Sequence, residues 1–195
     1  YISMKKTEKG TPGYLSHKKR MEIIRTIIYF GIVAAIFFLG YFQTKTRLNL
    51  LTVVAVLGCL PAAKALVGVI VRLPYRSADR KIVADLSEKA GHLTTCYDLV
   101  LTSTEKIMAV DCIVVSGSTI FGYTHYEKTD PEETQKHIKN ILSENGFTGF
   151  TVRILREYKA FLARAEGLDH IAAVEKADTS AQDRKICSLL PNVSL

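Results

Sequence analysis

Residues 26–44 read TIIYFGIVAAIFFLGYFQT, and residues 48–71 read LNLLTVVAVLGCLPAAKALVGVIV. The first run holds 19 residues without a charge; the second holds 24 with one, Lys64. About 20 mostly apolar residues suffice for a helix to cross the roughly 30 Å hydrocarbon core of a bilayer. Only Lys45, Thr46 and Arg47 separate the runs, so the pattern predicts a transmembrane helical hairpin. A cleaved signal peptide followed by a secreted domain fits this pattern poorly, because a signal's apolar region spans only about 7–15 residues and a polar mature segment should follow it.

Charge orients the hairpin. Residues 1–25 carry seven Lys and Arg against Glu8 and Glu22, and Arg72, Arg76, Arg80 and Lys81 stand against Asp79 beyond the second run. The connection carries only Lys45 and Arg47. Cationic flanks favour the cytoplasmic side, which predicts a multi-pass protein of a bacterial cytoplasmic membrane with both termini inside. Residues 82–195 hold 12 Lys and Arg against 16 Asp and Glu, although the whole chain is +7. Basicity is therefore concentrated near the membrane, where it can hold anionic lipid headgroups. The acidic remainder lacks the cationic surface that general nucleic-acid binding needs.

Within the second run Ala55, Gly58, Ala62 and Ala65 form a stripe of small residues at helical spacing, and the first run offers Gly31 and Ala35 (with Ala34 and Gly40) as partners. Small residues let helices approach closely in lipid. Homo-oligomerisation through a second face is the sharper reading of the same stripe. Lys64, three residues after Pro61, is either an intramembrane charge or an interfacial one. The interfacial reading is favoured, with the span ending near Ala63 and residues 65–71 lying in the interface as a short amphipathic turn.

The organisation expected is a basic N-terminal segment (1–22), the hairpin (23–72) and an α/β domain (77–195). In that domain, residues 77–90 have helical periodicity. Residues 96–101, 109–115 and 119–126 have the β-branched and aromatic content of strands. Ser116-Gly117-Ser118 supplies a hairpin turn. Asp130, Pro131 and Glu133 predict a helix start, and Gly146 predicts its stop. Residues 150–155 read as a strand, residues from Tyr158 onward as a helix, and residues 181–190 as a last helix. The predicted order is α-β-β-β-α-β-α.

That order resembles the restriction-endonuclease-like core, and residues 109–126, AVDCIVVSGSTIFGYTHY, resemble the central hairpin of the nuclease-related domain. The resemblance implies that Asp111 is the metal-binding aspartate. It also calls for an acid-x-lysine where this chain has Tyr123, Thr124 and His125, with Glu127 and Lys128 in the wrong spacing. One carboxylate without the lysine does not assemble a site for metal-assisted hydrolysis. Inactivity is therefore expected, and if the likeness is fortuitous Asp111 is a polar residue facing outward.

No metal-ligand spacing, phosphate-binding loop or cofactor fingerprint occurs. Cys59, Cys96, Cys112 and Cys187 show no paired spacing, so free thiols in a reducing compartment are expected. Cys112 with His125 or His92 lacks an orienting group, and Tyr97, Phe121, Tyr123 and Tyr126 read as core rather than as a ligand shelf. The expected function is non-catalytic: a membrane-anchored scaffold, adaptor or regulatory subunit with a protein partner or a second copy. The competing classes are a tethered nuclease-like enzyme and a nucleic-acid- or nucleotide-binding domain.

Overall fold

A computed structural model describes residues 9–44, 50–103, 106–175 and 180–193. Ser16–Arg76 forms one compact unit, and Ser77–Leu195 together with the described residues up to Leu15 forms another. The connection at 45–47 lies outside the described residues.

Helices α1 (Tyr14–Thr44) and α2 (Leu50–Arg72) are each long and apolar enough to cross a membrane. Their outward faces are apolar and exposed, with Ile27, Ile28, Phe38 and Phe42 on α1 and Val56, Leu57, Leu60 and Val67 on α2. An apolar surface of this extent is unusual for a protein bathed in water on all sides. α2 runs unbroken past Pro61 to Arg72, so residues 65–71 continue the helix instead of forming the separate turn expected.

Between Glu22 and Gly40 the buried and half-buried residues of α1 are Glu22, Thr26, Tyr29, Val33, Ile36 and Gly40, and on α2 they include Ala55, Gly58, Ala62, Ala65, Val69 and Arg72. Both series alternate steps of three and four, which is the 3.5-residue period of a knobs-into-holes seam. Ala62 is fully buried, and a Cβ placed on Gly58 would stand 3.1 Å from Val33 Cγ2. The small stripe of α2 thus faces α1. Gly31 and Ala35 do not answer it: both are exposed, and a Cβ on Gly31 would meet nothing within 4 Å. The 3.5-residue phase through Val33 passes between them, and of the small residues singled out on α1 only Gly40 lies on it.

Ala62→Leu forces extra carbons into this seam and should lower stability by about 1–3 kcal/mol, the usual cost of overpacking. Gly31→Leu, on the open face, should not. Thermal melting and sizing of the full chain in detergent decide it; an unchanged Ala62→Leu melt would place the stripe elsewhere.

Among the described residues of the other unit, four strands form one mixed sheet in the order β1 (Thr94–Thr102), β2 (Ile107–Ser116), β3 (Thr119–Tyr123) and β4 (Thr151–Leu155). The first three pair antiparallel and β4 joins β3 in parallel. A two-residue turn at Gly117 and Ser118 links β2 to β3, with Gly117 at φ 56° as such turns require. α3 (Arg80–Lys89) starts at the N-cap Asp79, and α4 (Pro131–Glu144) starts at Asp130, whose carboxylate accepts the Glu132 N–H at 2.9 Å. Gly146 at φ 82° follows α4. α5 (Tyr158–Glu175) and α6 (Ser180–Val193) complete the chain.

The sheet is covered on both faces. α4 and α6 pack on one through Ile138, Leu142, Ile186 and Leu190; α3 and α5 pack on the other through Leu86, Phe161 and Ala165. This explains why β1 and β2 are buried along nearly their whole length. Gly122 leaves room in the first core: a Cβ there would stand 2.6 Å from Ile154 Cδ1.

Cys96 on β1 and Cys187 on α6 form a disulfide, with Cα atoms 5.7 Å apart. This corrects the expectation of four free thiols. The two cysteines are 91 residues apart, and only the packing of α6 on the sheet brings them together.

Candidate functional site

Asp98 and Asp111 occupy the middle of the two longest strands. The register pairs Tyr97 with Cys112 and Leu99 with Val110, which leaves the two aspartates opposite each other. At this level both strands change which residues face which core. Cys96, Leu99 and Leu101 face the α4/α6 side, but Tyr97 faces the other; Val110 and Ile113 face the α4/α6 side, but Cys112 does not. Simple alternation would not allow this. On β1 the change falls at Asp98, which adopts φ 58°, a left-handed conformation that aspartate tolerates better than most residues.

Both carboxylates are buried, and donors surround them. Asp98 accepts the Leu15 N–H at 3.2 Å and the Ala78 N–H at 2.7 Å, with the Gly13 N–H and the Ser77 hydroxyl also bonded to it. It thereby fastens the residues just before and just after the hairpin to β1. Asp111, with its side chain 1% exposed, accepts the His125 N–H at 2.8 Å, and both its oxygens lie 2.8 Å from His125 Nδ1. Burial pushes both carboxyl groups above the ordinary aspartate range, while their donors pull the other way.

Asp111 therefore does not face outward. It closes the turn that follows β3, which ends at Tyr123 instead of continuing to Tyr126. With Asp111 ionised, Nδ1 carries the imidazole proton and Nε2 is the basic atom of a half-exposed ring, stacked on Tyr126 at 3.9 Å between centroids. This is the orienting half of a catalytic triad. The neighbouring hydroxyls are committed elsewhere: Thr124 donates to the Ala109 carbonyl at 2.7 Å, and Thr129 to the same oxygen at 3.3 Å.

His125 stands where the nuclease resemblance calls for lysine, and its ring is bound to the very aspartate assigned to the metal. Glu127 is exposed on the turn beyond. Among the described residues, no group of three or more His, Cys, Asp or Glu is placed to hold a metal ion. The thiol–imidazole pairs do not form either. Cys112 is fully buried beside Tyr97 and Phe161, and burial, then Asp111 and Asp98, push its thiol well up, so it stays protonated. His92 is bonded to Asp169, at 2.9 Å from Nδ1. Tyr97 lies in the core, Phe121 and Tyr123 pack against it, and Tyr123 meets Tyr158, whose hydroxyl donates to Asp85 at 2.6 Å.

Sequence reasoning missed Asp98. The one available signal was an acid inside the apolar strand sequence TTCYDLVLT. Lys64 is exposed on α2 and lines a cleft with Glu22, Arg25 and Arg72.

Comparisons of the chain with protein-family models, curated proteins and solved structures return no match. Fold and site together define a class: two helices suited to crossing a membrane, joined to a mixed four-stranded α/β unit with its central carboxylates bonded internally.

Proposed function

We propose that the chain is a two-span protein of a bacterial cytoplasmic membrane whose α/β unit, on the cytoplasmic side with both termini, works without catalysis as an anchor, adaptor or regulatory subunit for a protein partner or a second copy. The observation that carries this reading is the use made of Asp111: both its oxygens are taken by the backbone and ring of His125, so the residue closes a turn. The exposed apolar faces of α1 and α2 support insertion. The cationic flanks support the orientation, and the acidic α/β unit supports a protein partner over nucleic acid.

One observation favours a second reading. Asp111 and His125 meet where a nuclease-related site would place its metal-binding aspartate and its lysine, which leaves a tethered, nuclease-like enzyme as the competitor. The full chain in detergent with Mg²⁺ or Mn²⁺ is expected to leave DNA and RNA uncut. Isolation from native membranes is expected to bring a partner at fixed stoichiometry. Metal-dependent cleavage that disappears in Asp111→Asn, with the fold intact by circular dichroism, would replace the scaffold reading with the enzymatic one.

A further inference from the structure

We propose that the cleft between α1 and α2 at the Glu22–Arg72 end binds the phosphate of an anionic phospholipid headgroup. The inference deepens the membrane reading above and rests on it. The cleft encloses about 430 Å³ and is lined by Arg25, Lys64 and Arg72 with one acid, Glu22, for a net charge of +2. Its volume falls within the range of small-ligand sites. Glu22 and Arg72 pair at 2.8 Å, and Gly68 makes space for them: a Cβ there would stand 3.3 Å from Arg72 Nη1.

The remaining donors are held ready. Arg25 Nε donates to the Tyr29 hydroxyl at 3.1 Å and its guanidinium lies over that ring, which fixes the group while leaving further N–H donors. Arg72 Nε is buried without a hydrogen-bond acceptor among the described residues. Lys64 has no acidic partner among them. An anion here also approaches the C-terminal end of α2, whose carbonyls would repel it. Most of those carbonyls already have donors: Val69 and Ile70 accept the Leu73 N–H at 2.9 and 3.3 Å, and the Arg72 carbonyl accepts the Tyr75 N–H at 3.2 Å.

A phosphate could come from a lipid or from solution. The lipid is favoured because the helices continue away from the cleft as exposed apolar surface at Ile28, Ile32, Leu57 and Leu60, which suits acyl chains and offers a soluble phosphate nothing. Basic pockets between membrane helices are an established mode of headgroup capture. The site also gives Lys64 a reason to stand seven residues inside the second apolar run.

The test uses the full chain. Flotation with phosphatidylcholine vesicles comes first: wild type, Lys64→Ala and the Lys64→Ala/Arg25→Ala double variant should all float, and failure of wild type to float overturns the membrane reading itself. Native mass spectrometry in detergent then measures retention of phosphatidylglycerol against phosphatidylcholine. Wild type should retain phosphatidylglycerol selectively, each lost cation should weaken it about fivefold, and Lys64→Arg should restore it. Floating protein that shows no selectivity, or a double variant that binds like wild type, overturns the site. Displacement of the lipid by glycerol 3-phosphate at equal concentration overturns the lipid as its occupant.

Discussion

Asp98→Ala is expected to cost about 3 kcal/mol or more, because it strips an acceptor from several donors at once. The Leu15 and Ala78 N–H groups, at 3.2 and 2.7 Å, lose their partner together with the Gly13 N–H and the Ser77 hydroxyl. A buried donor left unsatisfied costs about 1–3 kcal/mol. Alanine must also hold φ 58°, which adds about 1–2 kcal/mol of backbone strain. Asp98→Asn should be milder, since asparagine tolerates that conformation and keeps one acceptor. Chemical denaturation of the full chain followed by circular dichroism measures both; a loss below about 1 kcal/mol for alanine would mean the chain ends beside the hairpin are not held by this carboxylate.

The same residues predict a pH dependence. Asp98 and Asp111 have folded-state pKa values above the unfolded value of 3.8. The folded chain therefore binds these protons more tightly, and their contribution to stability is fully present below 3.8 and lost as pH rises through the raised values. Removing either carboxyl as Asn should flatten that part of the profile.

Reduction of the Cys96–Cys187 bond is the second large effect expected. The bond closes a loop of 91 residues, and cross-links of that kind stabilise by about 2–4 kcal/mol, chiefly by restricting the unfolded chain. A fall in Tm of about 10 °C should follow for a unit of this size. Cys187→Ser under air should reproduce it, and reduction should then change nothing further. Identical melts with and without reductant would show that the bond does no structural work.

The bond also tests the orientation proposed. Disulfides persist in oxidising compartments and are rare in the cytosol, so a cytoplasmic α/β unit should hold both thiols reduced in the cell and close the bond only on oxidation. Acid-quenched cells, denatured and alkylated without reductant, should show label on Cys96 and Cys187. Two blocked cysteines would place the unit, and both termini, on the other side of the membrane.

Legibility divided along the distance over which each feature is determined. The two apolar helices were plain because hydropathy over some 20 residues is a local property. Asp130, Pro131 and Gly146 announced the bounds of α4 because a cap satisfies backbone groups within one turn. The Ser116-Gly117-Ser118 turn did the same for β2 and β3. On α1, sequence pointed by size to Gly31, Ala34, Ala35 and Gly40; packing selected only Gly40 of these, together with Thr26 and Val33. A small residue permits close approach, but the partner's phase decides where approach occurs.

What this sequence determined by itself was the set of elements and the partition of apolar from charged surface: two membrane-suited helices with basic flanks, then a mildly acidic α/β region. Only the tertiary structure decided what the polar residues inside that region do. Asp111 reaches His125 across 14 residues, Asp98 reaches Ala78 across 20 and Leu15 across 83, and Cys96 reaches Cys187 across 91. Each pairing depends on strand register and on which face of the sheet each helix covers. Those are set by the burial of two whole cores and leave no trace in local spacing.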